Sequence, residues 1–112
     1  MKGLNKVTLI GNVGNSPEIK TIEENIKVAK INVATNDSFT DKEGKKHIQT
    51  EWHNILLWRS LADIAEKFIQ KGSHVYIEGK IKTRSYEDEN KVKKYVTEII
   101  AESLILLDKK EK

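Results

Sequence analysis

Thr50–Arg59, TEWHNILLWR, is the stretch on which the reading of this chain turns. It alternates on a two-residue period, the signature of a strand with two different faces. Trp52, Asn54, Leu56 and Trp58 point one way, and Glu51, His53, Ile55 and Leu57 the other. Burial of Ile55 and Leu57 leaves two indoles on the opposite face, with Arg59 just beyond. Flat rings beside a cation on an open sheet suit a planar, charged ligand, such as nucleobases on a phosphate chain. With both faces buried, the same tryptophans would be ordinary core, since Trp is usually well buried. The strand by itself leaves both readings open.

Upstream, Leu4–Val13 (LNKVTLIGNV) reads as a strand, with Gly11 and Gly14 suited to a bend and Pro17 ending the pairing. Glu18–Ile22 continues it after the bend, and Glu23-Glu24-Asn25 is a polar turn without a glycine. Ile26–Thr35 is the second strand, with Ala29, Ile31 and Val33 on one face and Lys30 and Asn32 on the other. Asn36–His47 is polar and is expected to be a long exposed hairpin loop that presents Phe39 for contact.

Downstream, Ser60 and Asp63 predict a helix N-cap, and Leu61, Ile64, Ala65, Phe68 and Ile69 an apolar stripe with Phe68 in the core. Gly72 is placed to stop the helix. His74–Tyr86 predicts a fourth strand, with Val75, Ile77, Gly79, Ile81 and Thr83 facing inward. Its other face carries Tyr76, Glu78, Lys80, Lys82, Arg84 and Tyr86. Asp88-Glu89-Asn90 forms a hairpin tip, Lys91–Leu107 returns as the fifth strand, and Asp108–Lys112 is a charged tail expected to fray.

Five strands with one helix between the third and fourth is the element order of an all-β, five-stranded Greek-key barrel, the oligonucleotide/oligosaccharide-binding (OB) fold. A β-sandwich would offer more strands and no central helix. One domain, residues 1–107, accounts for the 112-residue chain. With 38% hydrophobic and 33% charged residues, the composition is that of a soluble globular protein, and the net charge of +3 leans toward a polyanionic partner. The N-terminus has no secretory h-region, and no apolar run approaches the roughly 20 residues that span a bilayer, so the chain is expected to be cytoplasmic and away from membranes.

The absence of cysteine excludes disulfides, thiolate zinc sites and Cys nucleophiles. His47, His53 and His74 show no metal-ligand spacing, Ser60 and Asp63 are accounted for by the helix, and no Gly-rich phosphate loop opens a helix. An enzyme is therefore the weaker hypothesis, with no metal or cofactor expected. A β-domain that docks another protein through its open face is a third reading. The charge run Lys80–Arg84 would by itself be a solvated sheet face. Combined with Trp52, Trp58 and Phe39 it becomes the pairing of cations with flat rings that single-strand binding requires.

The segments LNKVTLIGNVGNSPEIK, KINVATNDSF, TEWHNILLWRSLADIAEKFIQKGSHVYIEGKIKTRSYED and KKYVTEIIAESLILL resemble the DNA-binding domain of bacterial single-stranded DNA-binding proteins. Together they span nearly all of residues 4–107, and EWHNILLWR is similar to versions from the Bacteroidetes group. The resemblance implies base stacking on Phe39, Trp52, Trp58 and Tyr86. The phosphate and polar contacts are expected from Asn54, Arg59, Lys80, Lys82 and Arg84, with Lys6, Lys45, Lys46 and Lys71 as lesser candidates. It also implies a nucleoid-associated homotetramer acting in replication, recombination and repair, with Leu4, Val7, Leu9 and His53 at subunit contacts. Phe39 and Tyr86 stand where many relatives have tryptophan, and Trp58 where many have phenylalanine. Relatives recruit replication and repair proteins through an acidic C-terminal tip, whereas this chain ends DKKEK.

Overall fold

The computed structural model describes residues 2–108, and the expected charged tail lies, past Asp108, outside them. Its elements are β1 (Val7–Val13), β2 (Glu18–Ile22), β3 (Ile26–Thr40), β4 (Lys46–Trp58), α1 (Ser60–Phe68), β5 (His74–Glu87) and β6 (Lys93–Leu106). The strands hydrogen-bond in the order β1-β5-β6-β4-β3-β2, and β1 also pairs with β3, which closes the sheet on itself. This ring, with its helix between β4 and β5, is the expected OB arrangement. β1 and β2 run in succession along β3, registered Val13↔Val33 and Glu18↔Lys30, so they are one bent strand interrupted around Pro17.

Closure depends on two glycines. A Cβ on Gly11 would lie 2.2 Å from the Ala34 carbonyl oxygen, where β1 crosses β3. One on Gly79 would lie 2.1 Å from the Ile100 carbonyl oxygen, beside the irregularity in the β5–β6 pairing. Only a residue without a side chain lets the backbones approach this closely.

The core follows strand parity. Ala29, Ile31 and Val33 of β3, Ile55 and Leu57 of β4, and Val75 and Ile77 of β5 are fully buried, and Ala62, Ala65 and Ile69 cover them from the helix. The β2–β3 turn forms without glycine. Glu24 and Asn25 both take positive φ and the Ile26 N–H donates to the Glu23 carbonyl, a mirror-image hairpin turn whose twist matches the strands.

Five local expectations are corrected. The segment Asn36–His47 is not a long loop: β3 and β4 stay paired out to Thr40↔Lys46, leaving only a short tip. A hydrogen bond from Thr50 to Asn36 and the cross-strand Phe39–His47 pair stabilise this polar ribbon. Asp41 closes its tip by accepting the Glu43 and Lys45 N–H groups on one carboxylate oxygen.

The inner face of β5 ends at Gly79, where its pairing with β1 stops at Val7; Ile81 and Thr83 beyond it are exposed, and past Ile81↔Ile99 the β5–β6 ribbon runs clear of β4. Phe68 is 63% exposed rather than core. Lys27 on β3 pairs with Asp63 (2.9 Å) and Glu66 (2.6 Å), a roll of α1 that turns Ala62 and Ala65 inward and Phe68 outward.

Finally, Ser60 is the first helical residue and not the cap, and Gly72 lies past the end of α1, in the turn before β5. The cap position belongs to Arg59, at φ 58° and ψ −117°, with no side-chain cap bond. That conformation is strained for a residue with a Cβ, at a cost of order 1–3 kcal/mol. Arg59→Gly is therefore expected to raise the urea midpoint, by roughly 1 kcal/mol of stability at unchanged m. An unchanged or lower midpoint would show that Arg59 is relaxed.

Candidate nucleic-acid interface

The open face of β4 is as the alternation predicts. Trp52 is 55% and Trp58 37% exposed, while Ile55 and Leu57 between them are sealed. Each indole lies above a small β3 partner, Trp52 opposite Ala34 and Trp58 opposite Val28, which is why those two residues are buried from the outside. The Trp52 ring also covers Gly14, where an added Cβ would meet its Cζ3 at 2.3 Å. A glycine in the bend between β1 and β2 thus makes the seat for one ring, and any side chain there would displace it.

Trp58 is bordered by two grooves. One, of about 440 Å³, is lined with Lys80, Lys82, Asn5 and Ile100. The other brings Lys20, Lys30, Leu56, Arg84 and Glu98 together with the same ring. Lys80, Lys82 and Arg84 share one face of β5, as parity predicts, and Tyr86 continues that face toward the tip, 46% exposed and opposite Lys94. Asn54 is half-buried opposite Asn32 and lines, with Trp52, a cleft where the β3–β4 and β5–β6 ribbons diverge. Arg59 is exposed immediately beyond Trp58.

Not every expected residue joins this cluster. Phe39 is 47% exposed, but it lies an odd number of residues along β3 from Ala34 and so occupies the ribbon face opposite Trp52. There it stacks on His47, ring centroids 5.0 Å apart and planes 18° from parallel. His47 Nε2 is 2.7 Å from Asp41 Oδ2, and this bond first, then the backbone N–H of Lys45, holds the Asp41 carboxyl below its usual range. Lys45 and Lys46 stand at the tip of that ribbon, and Lys71 in the turn after α1.

Lys6 sits 3.1 Å from Glu78, which also accepts the Tyr76 hydroxyl at 2.8 Å. The Tyr76 bond first, then Lys6, keeps the Glu78 carboxyl below its ordinary value. Among the residues expected at subunit contacts, Leu4 is exposed, Val7 and Leu9 lean on the core, and half-buried His53 shares a 3.0 Å hydrogen bond with Thr35.

Three residues went unsingled in the sequence. Lys20 and Lys30 reach the Trp58 groove only because β2 and β3 pair beside β4. Lys30 was visible as the outward residue of a strand, but nothing local tied it to Trp58. Tyr95 is exposed on the outer ribbon with the Lys93 ammonium 5.6 Å from its ring, and the KKY triplet was the available signal.

The profile of the Single-strand binding protein family matches residues 4–107. "Single-stranded DNA-binding protein 1" of Chlorobaculum tepidum is 44% identical over 112 residues, covering 98% of this chain and 68% of the relative. The structure of a Plasmodium falciparum SSB in complex with ssDNA superposes with a TM-score of 0.89 at 37% identity, over 96% of this chain and 98% of that one. A deletion mutant of the single-stranded DNA binding protein from Thermus aquaticus superposes with a TM-score of 0.81 at 26% identity, over 95% of this chain and 51% of that one.

Proposed function

The chain belongs to the single-strand binding protein family, and from that premise we propose that it binds single-stranded DNA without catalysis and with little sequence preference. Trp58, Trp52, Tyr86 and Phe39 stack bases, whose π-faces are common to all four nucleotides. Lys80, Lys82 and Arg59 neutralise phosphates, joined by Lys20 and Lys30 in the second groove, and Arg84 and Asn54 add polar contacts. Lys45, Lys46, Lys71 and the Glu78-paired Lys6 contribute less, at the margins of the path. The observation that carries this reading is Trp58, a ring held partly open beside the sealed Leu57 and shared by two grooves that both contain lysine.

The protein acts as a homotetramer in the cytoplasm, at the nucleoid. It coats exposed strands in replication, recombination and repair. Exposed Ile10 on β1 and exposed Leu4 supply apolar surface for the subunit contacts, beside Val7, Leu9 and His53. No helix among the described residues is long and apolar enough to cross a membrane.

Titration with oligo-dT tests the proposal, following tryptophan emission, with light scattering on the same sample. Quenching that saturates, an affinity that falls with salt, and the scattering mass of a tetramer are expected. Unchanged emission at low ionic strength would overturn the binding reading.

A further inference from the structure

The two halves of the cation set differ in one respect. Lys80 and Lys82 carry no acid partner among the described residues, whereas Arg84 is clasped by Glu98 from the neighbouring strand. Arg84 Nε donates to Glu98 Oε1 at 2.8 Å and Nη2 to Oε2 at 3.3 Å. Glu98 is only 3% exposed, beneath a guanidinium that stays half open to solvent. Both residues line the groove that Trp58 borders. A carboxylate is costly to bury, and this one is satisfied by the fork of an arginine.

We propose that Glu98 is a positioning residue for single-strand binding: it fixes the Arg84 guanidinium in the groove beside Trp58 and cancels its charge, so that Arg84 contacts the strand by shape and hydrogen bonding while Lys80 and Lys82 carry the salt-dependent part. Counterion release scales with the phosphates that protein cations neutralise. A guanidinium already paired within the protein has little net charge to offer a phosphate. Its plane and its remaining N–H groups stay available to a base edge or a phosphate oxygen. The pair also keeps the guanidinium at one distance from the indole, a distance that a free arginine on a flexible stem would not hold. This inference rests on the single-strand-binding reading and divides its contacts into two kinds.

The test compares salt dependences of oligo-dT binding for the full chain and the variants K82Q, E98Q and the double variant R84Q/E98Q. The double variant leaves neither charge buried alone, and circular dichroism confirms its fold. For single strands each neutralised phosphate contributes about 0.7 to the slope of log K against log salt. K82Q is expected to flatten the slope by about that amount, and E98Q, which releases the Arg84 charge, to steepen it by about as much. The double variant keeps the slope of the unaltered protein and binds several-fold more weakly at every salt concentration. A double variant whose slope drops as far as that of K82Q overturns the proposal, as does an E98Q slope equal to that of the unaltered protein. If the unaltered protein does not bind oligo-dT at all, the binding reading falls first and takes this inference with it.

Discussion

Trp58→Ala lowers the affinity for oligo-dT by about 1–3 kcal/mol, roughly fivefold to more than a hundredfold, while the folded state survives. That range is the one measured for stacking of bases on aromatic side chains in single-strand-binding proteins generally. Its application here follows from geometry. Trp58 borders both grooves, so its removal interrupts the path between the Lys80–Lys82 side and the Lys20–Lys30 side. Toward the core it lies opposite Val28, which is buried, while the sealed side of β4 is held by Ile55 and Leu57. Loss of the ring does not change the number of neutralised phosphates, so the salt slope should stay as it was. Paired titrations of the variant and the unaltered protein at two salt concentrations measure both quantities. An affinity loss below threefold would mean that the ring is a structural cover and not a platform.

The adjacent residue should behave in the opposite way. Leu57→Ala is expected to destabilise the fold by about 2–5 kcal/mol, the range for a large-to-small change at a sealed site with its residual cavity. Leu57 is fully buried and pairs with Ala29, itself fully buried and too small to fill the space left behind. Against a total stability of roughly 5–15 kcal/mol, that is a large fraction. Urea unfolding at fixed protein concentration measures it, since the apparent stability of an assembly depends on concentration. The molecules that remain folded should bind oligo-dT with nearly unaltered affinity, because no Leu57 atom reaches the open face. Unfolding midpoints that fall equally for Trp58→Ala and Leu57→Ala would contradict the division of β4 into a sealed and an open face.

Trp58 and Leu57 also show how much of the fold is legible in the sequence. Alternation in TEWHNILLWR assigns each side chain to a face, and within the barrel, from Ile55 to Trp58, the buried positions follow it, whereas Glu51 lies beyond the core and is exposed despite its inward parity. The same holds for Ala29, Ile31 and Val33 on β3 and for β5 as far as Gly79; beyond it Lys80, Lys82, Arg84 and Tyr86 keep one face, but the other face is exposed as well. Strand parity is covalent geometry, so it survives whatever the rest of the chain does.

Properties that depend on partners were not legible. Whether Asn36–His47 is loop or ribbon depends on cross-strand pairs between residues of weak strand preference. Whether Phe68 is covered depends on the roll of a short helix, which stands with the Lys27 ion pairs from a strand far away in sequence. Stripe periodicity found the helix but misjudged which residue its end would bury.

The alternating faces, the element order and the family resemblance are written in local spacing and residue type. The tertiary structure alone decided that Lys20 and Lys30 stand at Trp58, that Phe39 turns to the other side of its ribbon, and that Arg84 spends its charge on Glu98. The physical reason is that these are relations between strands. They are set by register and by closure of the ring at Gly11 and Gly79, and no window along one strand contains them.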